Sequence, residues 1–306
     1  MSQIYDVTII GGGPGGYAAA LYCARSNYST AVIEKLSPGG QMATTGQVDN
    51  YPGFVDGVDG FELGEMMQKC AERFGAVTIF DEVAEVHLEE NPKRIITTSG
   101  EILSSTVIVA TGAFPKELGL AEELKLRGRG VAYCATCDGM IYKDRTVVVV
   151  GGGNSAVTDA LYLAKLCKKV YLIHRRDSLR ASKLYLSLLK DSGVEFVWNS
   201  KVTEIIHDKQ VTGVKILNLV NNENSEIECE GVFVAIGRVP DTKLFQDQLK
   251  LDERGYIIAD ETTQTNIPGV FAVGDVRTKP LRQIVTAAAD GAVASHFVEE
   301  YLMKQK

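Results

Sequence analysis

DVTIIGGGPGGYAAALYCARSNYSTAVIE, residues 6–34, decides the fold. It opens with a β-branched apolar run of strand length. A glycine cluster follows, then an alanine-rich stretch with helical patterning, then a second β-branched run. That order reads as a β-α-β unit with a glycine-rich turn between strand and helix. The same order recurs in RTVVVVGGGNSAVTDALYLAKLCKKVYLIH, residues 145–174. The first turn carries Gly11, Gly13 and Gly16 in G-x-G-x-x-G spacing, the second Gly151, Gly153 and Ala156 in the G-x-G-x-x-A form. The first glycine allows a tight turn and the second a close approach of backbone to a pyrophosphate. The third small residue lets helix pack on strand, so that phosphates meet the positive end of the helix.

The far end of each unit bears on which dinucleotide is bound. An acid for the adenosine ribose is expected about 20 residues on. Glu34 ends the first unit, 23 residues after Gly11, whereas the equivalent position of the second is His174, followed by Arg175 and Arg176. A carboxylate accepts from a 2′-hydroxyl and repels a 2′-phosphate, while guanidinium groups pair with phosphate. The first site should therefore take an unphosphorylated ribose, as in FAD or NAD, and the second NADP. Alternatively, HRRDSLR (174–180) is a solvated charged loop.

A second echo links VIVATGAFP (107–115) with VFVAIGRVP (232–240), each closing its own module. The remaining tail contains NIPGVFAVGDV (266–276), another strand ending in an acid, Asp275, and a helical pattern from Leu281 onward. At 66 residues it is short for a third domain and returns to the first module. The expected fold class is α/β, with two Rossmann-like dinucleotide-binding domains. The NADPH domain (114–240) is inserted into a discontinuous FAD domain (1–113 and 241–306).

Bulk properties exclude other classes. The chain has 306 residues, 45% hydrophobic and 23% charged, with net charge −7. A mildly acidic surface offers no general attraction to nucleic acid or anionic membrane. The N-terminal apolar run lacks a basic flank and is only a strand long, which suggests neither a signal peptide nor a membrane span and makes a cytoplasmic protein the default.

VAYCATCDG (131–139) holds Cys134 and Cys137, with Asp138 adjoining. Such a pair can hold half a metal site, staple a loop or carry electrons. Zinc needs four ligands, but Cys23, Cys70, Cys167 and Cys229 are isolated and the four histidines show no H-x-x-x-H spacing, so no metal is expected. Cys23 and Cys167 fall in the alanine-rich helices and read as buried small hydrophobes. The loop closed by the pair is too small to add much stability, which favours redox chemistry, with a helix N-terminus lowering the thiol pKa. Asp138 passes a proton or is a capping or surface group. Two nucleotide sites and a dithiol form one relay: hydride from NADPH, two electrons through a flavin, a disulfide as acceptor, and thiol–disulfide exchange with another protein.

GGGPGG (11–16), GGQMATTGQVDNYPG (39–53), CATCDG (134–139), GGGNSA (151–156), HRRDSLR (174–180) and GVFAVGDVRTKPLRQIVTAAADG (269–291) together resemble the bacterial-type low-molecular-weight thioredoxin reductases over essentially the whole chain. The resemblance implies FAD in the first module, on Gly11, Gly13, Pro14, Gly16, Glu34, Gly40, Gln41, Thr45, Asn50, Val83, Ala110, Gly112 and Asp275, with Arg282, Gln283 and Ile284 flanking the ring. It implies NADPH on Gly151, Gly153, Asn154, Ser155, Ala156, His174, Arg175, Arg176, Arg180, Ile236 and Gly237. Cys137 would face the flavin, Cys134 would attack the disulfide of thioredoxin, and Asp138 would be the acid. The resemblance also implies a homodimer and rotation of one domain against the other, with Pro115 and Pro240 near the two crossings. Two relatives of the same fold fit less well. The alkyl hydroperoxide reductase subunit carries extra N-terminal domains, and ferredoxin-driven or dithiol-oxidase enzymes lack the NADPH arginines. A flavin redox sensor without turnover is a third alternative, with no effector module to support it.

Overall fold

The computed structural model describes residues 4–181 and 183–305. The chain divides into two compact units, Met1–Phe114 with Val239–Lys306, and Pro115–Arg238. Both are α/β and Rossmann-like. The two chain passages, Ala113–Pro115 and Arg238–Pro240, form a two-stranded sheet.

In the first unit, Ile4–Ile10 lies parallel between Thr30–Glu34 and Glu101–Val109, and Val77–Phe80 extends the sheet beyond Thr30–Glu34. The far edge of Glu101–Val109 is shared. Lys93–Thr97 pairs antiparallel with its first half and is followed by Val83–His87, while Val270–Ala272 pairs parallel with its last three residues. The tail thus supplies a strand to the first sheet. Side chains alternate across these strands. Val7, Ile9, Val32 and Ile108 face one core with Tyr17, Ala20 and Val298, whereas Ile10, Ile33, Val107 and Val109 face another with Phe245 and Ile257. Because both faces are covered, the strands read as continuous apolar runs.

Helices Pro14–Arg25 and Ile284–Met303 cross in close contact, and a Cβ at Gly291 would sit 2.3 Å from the Gly15 carbonyl oxygen. The second helix starts three residues later than the Leu281 its pattern suggests, for a polar reason. Gln283 N–H donates to the Thr286 hydroxyl at 3.1 Å, a cap that fixes the first turn there. Among the described residues no helix is long and apolar enough to cross a membrane.

The second unit has a five-stranded parallel sheet in the order Glu195–Val197, Lys169–Ile173, Thr146–Gly151, Gly231–Ala235, Val131–Ala132. One face packs on helix Asn154–Leu163 through Val147, Val149, Val157, Leu163 and Phe233. The other packs on an antiparallel sheet of Ser200–His207, Val211–Asn218 and Asn224–Glu228, through Val148, Val150, Val202 and Val214. The short strand Val131–Ala132 ends just before Cys134, which brings the cysteine pair to the carboxyl end of this sheet.

Candidate functional site: two glycine-rich turns and a cysteine pair

The first turn is set by backbone contact. Gly11 has φ +107°, and a Cβ there would lie 2.5 Å from the Ala110 carbonyl oxygen; one at Gly16 would lie 2.0 Å from the Gly11 oxygen. Only glycine fits either place. Gly13 caps helix Pro14–Arg25, and a Cβ there would meet nothing within 4 Å. The helix end therefore presents an open, side-chain-free cradle with Pro14 in its first turn, suited to a phosphate.

Glu34 folds over this cradle. Its Oε2 accepts from Gly12 N–H at 2.7 Å and its Oε1 from Leu36 N–H at 3.0 Å. The next loop closes on the same turn: Gly39 N–H donates to the Gly12 oxygen at 2.8 Å, and a Cβ at Gly40 would lie 3.4 Å from Gly13 Cα. Gln41 follows within the 3-10 turn Gly40–Thr44, and Thr45 accepts through its carbonyl from Gly60 N–H at 3.0 Å. Val83 stands two residues past Asp81, whose N–H donates to the Glu34 carbonyl. Gly112, at φ +75°, meets nothing where a Cβ would stand.

The tail completes this site. Val273 N–H donates to the Val109 oxygen at 2.9 Å, and a Cβ at Gly15 would lie 3.6 Å from Gly274 N, so Asp275 arrives beside the first helix. The short turn Gly274–Val276 is held from behind by Asp290. That carboxylate accepts from Gly274 N–H at 2.8 Å, from Arg277 at 2.8 and 2.9 Å, and from Lys279 at 2.7 Å, all buried or nearly so. Although burial opposes its charge, the two cations hold the Asp290 carboxyl below the usual range. Arg282 is a staple of the same loop: its guanidinium donates to the carbonyls of Asp275, Arg277 and Lys279 and lies 4.0 Å from the Tyr256 ring centroid. Asn50 donates to Gln283 Oε1 at 3.0 Å, and Ile284 packs with Met42, Val48 and Leu63. The structure thus brings the widely separated residues named for the first nucleotide into one unit, with Glu34, Gly40 and Ala110 directly against the turn.

The second turn repeats the design. A Cβ at Gly151 would lie 2.4 Å from the Ala235 oxygen and 2.6 Å from Ala156 Cβ, while Gly153, the cap of helix Asn154–Leu163, is open as Gly13 is. Asn154 and Ser155 stand exposed in the first turn of that helix. Ile236 and Gly237 follow Ala235, and the Gly237 oxygen accepts from Lys116 N–H at 2.9 Å. HRRDSLR folds back onto the turn, with Arg180 N–H donating to the Gly152 oxygen at 2.7 Å. His174 is only 5% exposed, and its ring stands where a Gly152 Cβ would be. Its Nε2 is buried without a hydrogen-bond partner. Burial, then the charges of Arg180 and Arg176, lower its proton affinity, so the ring is neutral near pH 7. Arg175, Arg176 and Arg180 are exposed, and no carboxylate of the described residues pairs with them. Three guanidinium groups, an open helix end and a buried unpartnered ring nitrogen fit a phosphorylated nucleotide; a carboxylate bound to its own turn, as at Glu34, fits an unphosphorylated one.

Cys134 and Cys137 form a disulfide with Cα atoms 5.3 Å apart. Cys134 caps the helix Ala135–Asp138, and its carbonyl accepts from Cys137 N–H at 3.3 Å and Asp138 N–H at 3.0 Å. That helix is one turn long and passes into a 3-10 turn, Gly139–Tyr142, so the helix-end effect expected for the thiol has little dipole behind it. Asp138 matters more. It is half-buried, its side chain makes no capping hydrogen bond to the turn it precedes, and burial raises its carboxyl to about 6, with Arg127 pulling the other way. A carboxyl titrating near neutrality beside a disulfide is equipped to hand over a proton. Burial pushes the Cys23, Cys167 and Cys229 thiols up to about 12, 11 and 12, leaving them inert; Cys167 is half-exposed rather than buried as expected.

Residues 5–291 match the family model described as pyridine nucleotide-disulphide oxidoreductase. A thioredoxin reductase of Listeria monocytogenes is 45% identical over 306 residues, covering 99% of this chain and 96% of that protein. One from Peptoclostridium acidaminophilum is 44% identical over 309 residues, with 99% and 98% covered. The crystal structure of thioredoxin reductase from Streptococcus pyogenes superposes with TM-score 0.92 at 42% identity, covering 99% of this chain and all of that one.

Proposed function

Since the chain belongs to the pyridine nucleotide-disulphide oxidoreductase family, with thioredoxin reductases as full-length relatives, we propose that it is an NADPH-dependent, FAD-containing thioredoxin reductase. The observation that carries this reading is the Cys134–Cys137 disulfide with a half-buried acid at its side, in the same unit as a glycine-rich turn flanked by arginines that pair with no carboxylate of the described residues. Bound flavin supplies a carrier that takes two electrons from a hydride donor and passes them to sulfur. The residues of the chain bind, orient and move protons around it.

Gly11, Gly13 and Gly16 admit one pyrophosphate and Gly151, Gly153 and Ala156 the other. Glu34 selects an unphosphorylated ribose and the arginines select the 2′-phosphate. Two electrons delivered to the disulfide break the S–S bond and leave Cys134 and Cys137 as thiolates or thiols, with Asp138 placed to supply a proton. Cys134 then attacks the thioredoxin disulfide to give a mixed disulfide. Cys137 attacks Cys134 Sγ, reforms the internal bond and releases the second thioredoxin sulfur. Each cycle oxidises one NADPH and yields one dithiol.

Purified protein mixed with NADPH should oxidise it slowly alone and rapidly once oxidised thioredoxin is added, with one disulfide reduced per NADPH consumed. Oxidation of NADPH at the same rate with and without the disulfide protein would refute the reading. Glu34→Gln should weaken flavin binding about tenfold, roughly 1.4 kcal/mol. Its amide nitrogen would face Gly12 or Leu36 N–H, donor against donor. Flavin retained on dilution, measured by released fluorescence, checks this; unchanged retention would deny Glu34 its role.

A further inference from the structure

We propose that Asp290 is a positioning residue for the flavin: its buried carboxylate ties the loop that carries Asp275 to the helix pair that carries the first glycine-rich turn, and so fixes the two halves of the site against each other. The inference rests on the reading of the first unit as the flavin site.

Helix packing anchors the carboxylate on one side. Asp290 lies on Ile284–Met303 directly before Gly291, where that helix meets Pro14–Arg25 so closely that a Cβ would stand 2.3 Å from the Gly15 oxygen and 2.6 Å from Ala19 N. Glycine at 291 lets the two backbones touch, so Asp290 is held in register with the helix whose first turn forms the phosphate cradle. On its other side the carboxylate gathers three points of the loop. Oδ2 accepts from Gly274 N–H at 2.8 Å, Arg277 Nε at 2.9 Å and Lys279 Nζ at 2.7 Å, and Oδ1 from Arg277 Nη2 at 2.8 Å. Gly274 directly precedes Asp275, which the flavin reading assigns to the bound group.

The two cations carry the lock outward. Arg277 Nη1 donates to the carbonyls of Asp260 at 3.1 Å and Thr278 at 3.0 Å. Lys279 Nζ also donates to the Thr286 oxygen at 3.2 Å, in the first turn of the Asp290 helix. Both cationic side chains are almost fully buried. The acids of the neighbouring segment do not replace Asp290. Asp260 and Glu261 are exposed, and the Asp260 carboxylate accepts from Thr262 N–H at 2.8 Å. Two buried cations left without their anion are strongly unfavourable. With Asp290 neutralised, the least costly relief is for the Lys279 ammonium to swing out to water and take its stretch of backbone with it. The loop then has no fixed shape, and flavin must order it on binding, which lowers affinity.

Flavin release and amide hydrogen exchange, both followed in the loaded full-length protein, test this. Asp290→Asn keeps the size of the side chain and removes its charge. Flavin retention on dilution should weaken at least about tenfold, the scale of a lost hydrogen bond to a charged group. The amides of Gly274 and of Thr278, which donates to the Ile257 oxygen at 2.9 Å, should exchange faster by about the same factor. Those of the strand Ile4–Ile10 should keep wild-type rates, a contrast that a general loss of stability does not produce. Lys279→Met decides the matter if Asp290→Asn does not fold. It should quicken exchange at Thr278 and leave Gly274, which Asp290 still holds, at the wild-type rate; both quickened alike, or neither, would overturn the inference. Wild-type flavin retention by Asp290→Asn, or exchange quickened equally in loop and strand, would overturn it alone. Wild-type protein that holds no flavin would overturn the flavin reading and this inference together.

Discussion

Serine at either Cys134 or Cys137 is expected to abolish reduction of a disulfide partner while leaving flavin bound and reducible by NADPH. The glycine-rich turns, Glu34, the 274–283 loop and the arginine loop do not depend on the sulfur atoms. The internal bond closes a loop of four residues, so its loss costs about 2 kcal/mol on the chain-entropy account, which a unit with its own two-faced core tolerates. The other cysteines offer no second dithiol: Cys70 is exposed but a free, single thiol, which cannot close an internal disulfide to release the partner. Cys23 and Cys229 are buried, and all three thiols with shifted proton affinity are held in the unreactive form.

The two variants should fail differently. With Cys137→Ser, the Cys134 thiol can still attack a partner disulfide but nothing resolves the product, so a stable mixed disulfide should accumulate. With Cys134→Ser, no such adduct should form at comparable rate. Non-reducing electrophoresis of each variant with thioredoxin reads the difference, and the visible spectrum reads the flavin. Multiple turnovers by either variant would remove the pair from the mechanism. Equal trapping by both would remove the assignment of Cys134 as the attacking thiol.

The legible parts of this fold are those with short-range causes. Two strand–glycine–helix units follow from periodicity and turn chemistry, because each is complete within about 30 residues. Glu34 is legible for the same reason: it ends a strand next to the turn it caps. What depends on distant contacts is not legible. His174 reads as the first member of a charged loop, yet its ring is buried against Gly152, a contact made only when the parallel strands align. Arg282 reads as a neighbour of the flavin ring, but that three carbonyls of its own loop hold its guanidinium is a product of the folded loop that the sequence does not announce. Asp290 interrupts an apolar helical run, IVTAAADGAVAS, which is a signal of burial with partners, but Arg277 and Lys279 become those partners only through the turn that folds back between them. Glu123 gives no signal at all. AEELKLRGR looks like a solvated stretch, and only the structure shows one of its acids enclosed by N–H groups and a phenol.

Alanine at both Arg175 and Arg176 should raise the Michaelis constant for NADPH about a hundredfold while changing that for NADH only slightly. A hydrogen bond between charged partners is worth about 1.5–3 kcal/mol, and at exposed positions screening favours the lower figure. Two such losses come to about 3 kcal/mol, or roughly a hundredfold. NADH offers no 2′-phosphate, so the same substitutions remove nothing it uses. The turn itself should survive, since the loop is anchored by backbone: Arg180 N–H holds the Gly152 oxygen, Asn199 N–H holds the Arg176 oxygen at 3.1 Å, and His174 stays buried between them. Ionic strength supplies an independent check. The wild-type preference for NADPH should decline as salt rises, and the variant, having little preference left, should be nearly indifferent. Parallel losses with both nucleotides would mean that the arginines support the loop rather than read the phosphate. Unchanged constants with both would return HRRDSLR to a solvated loop and leave the second glycine turn without its source of selectivity.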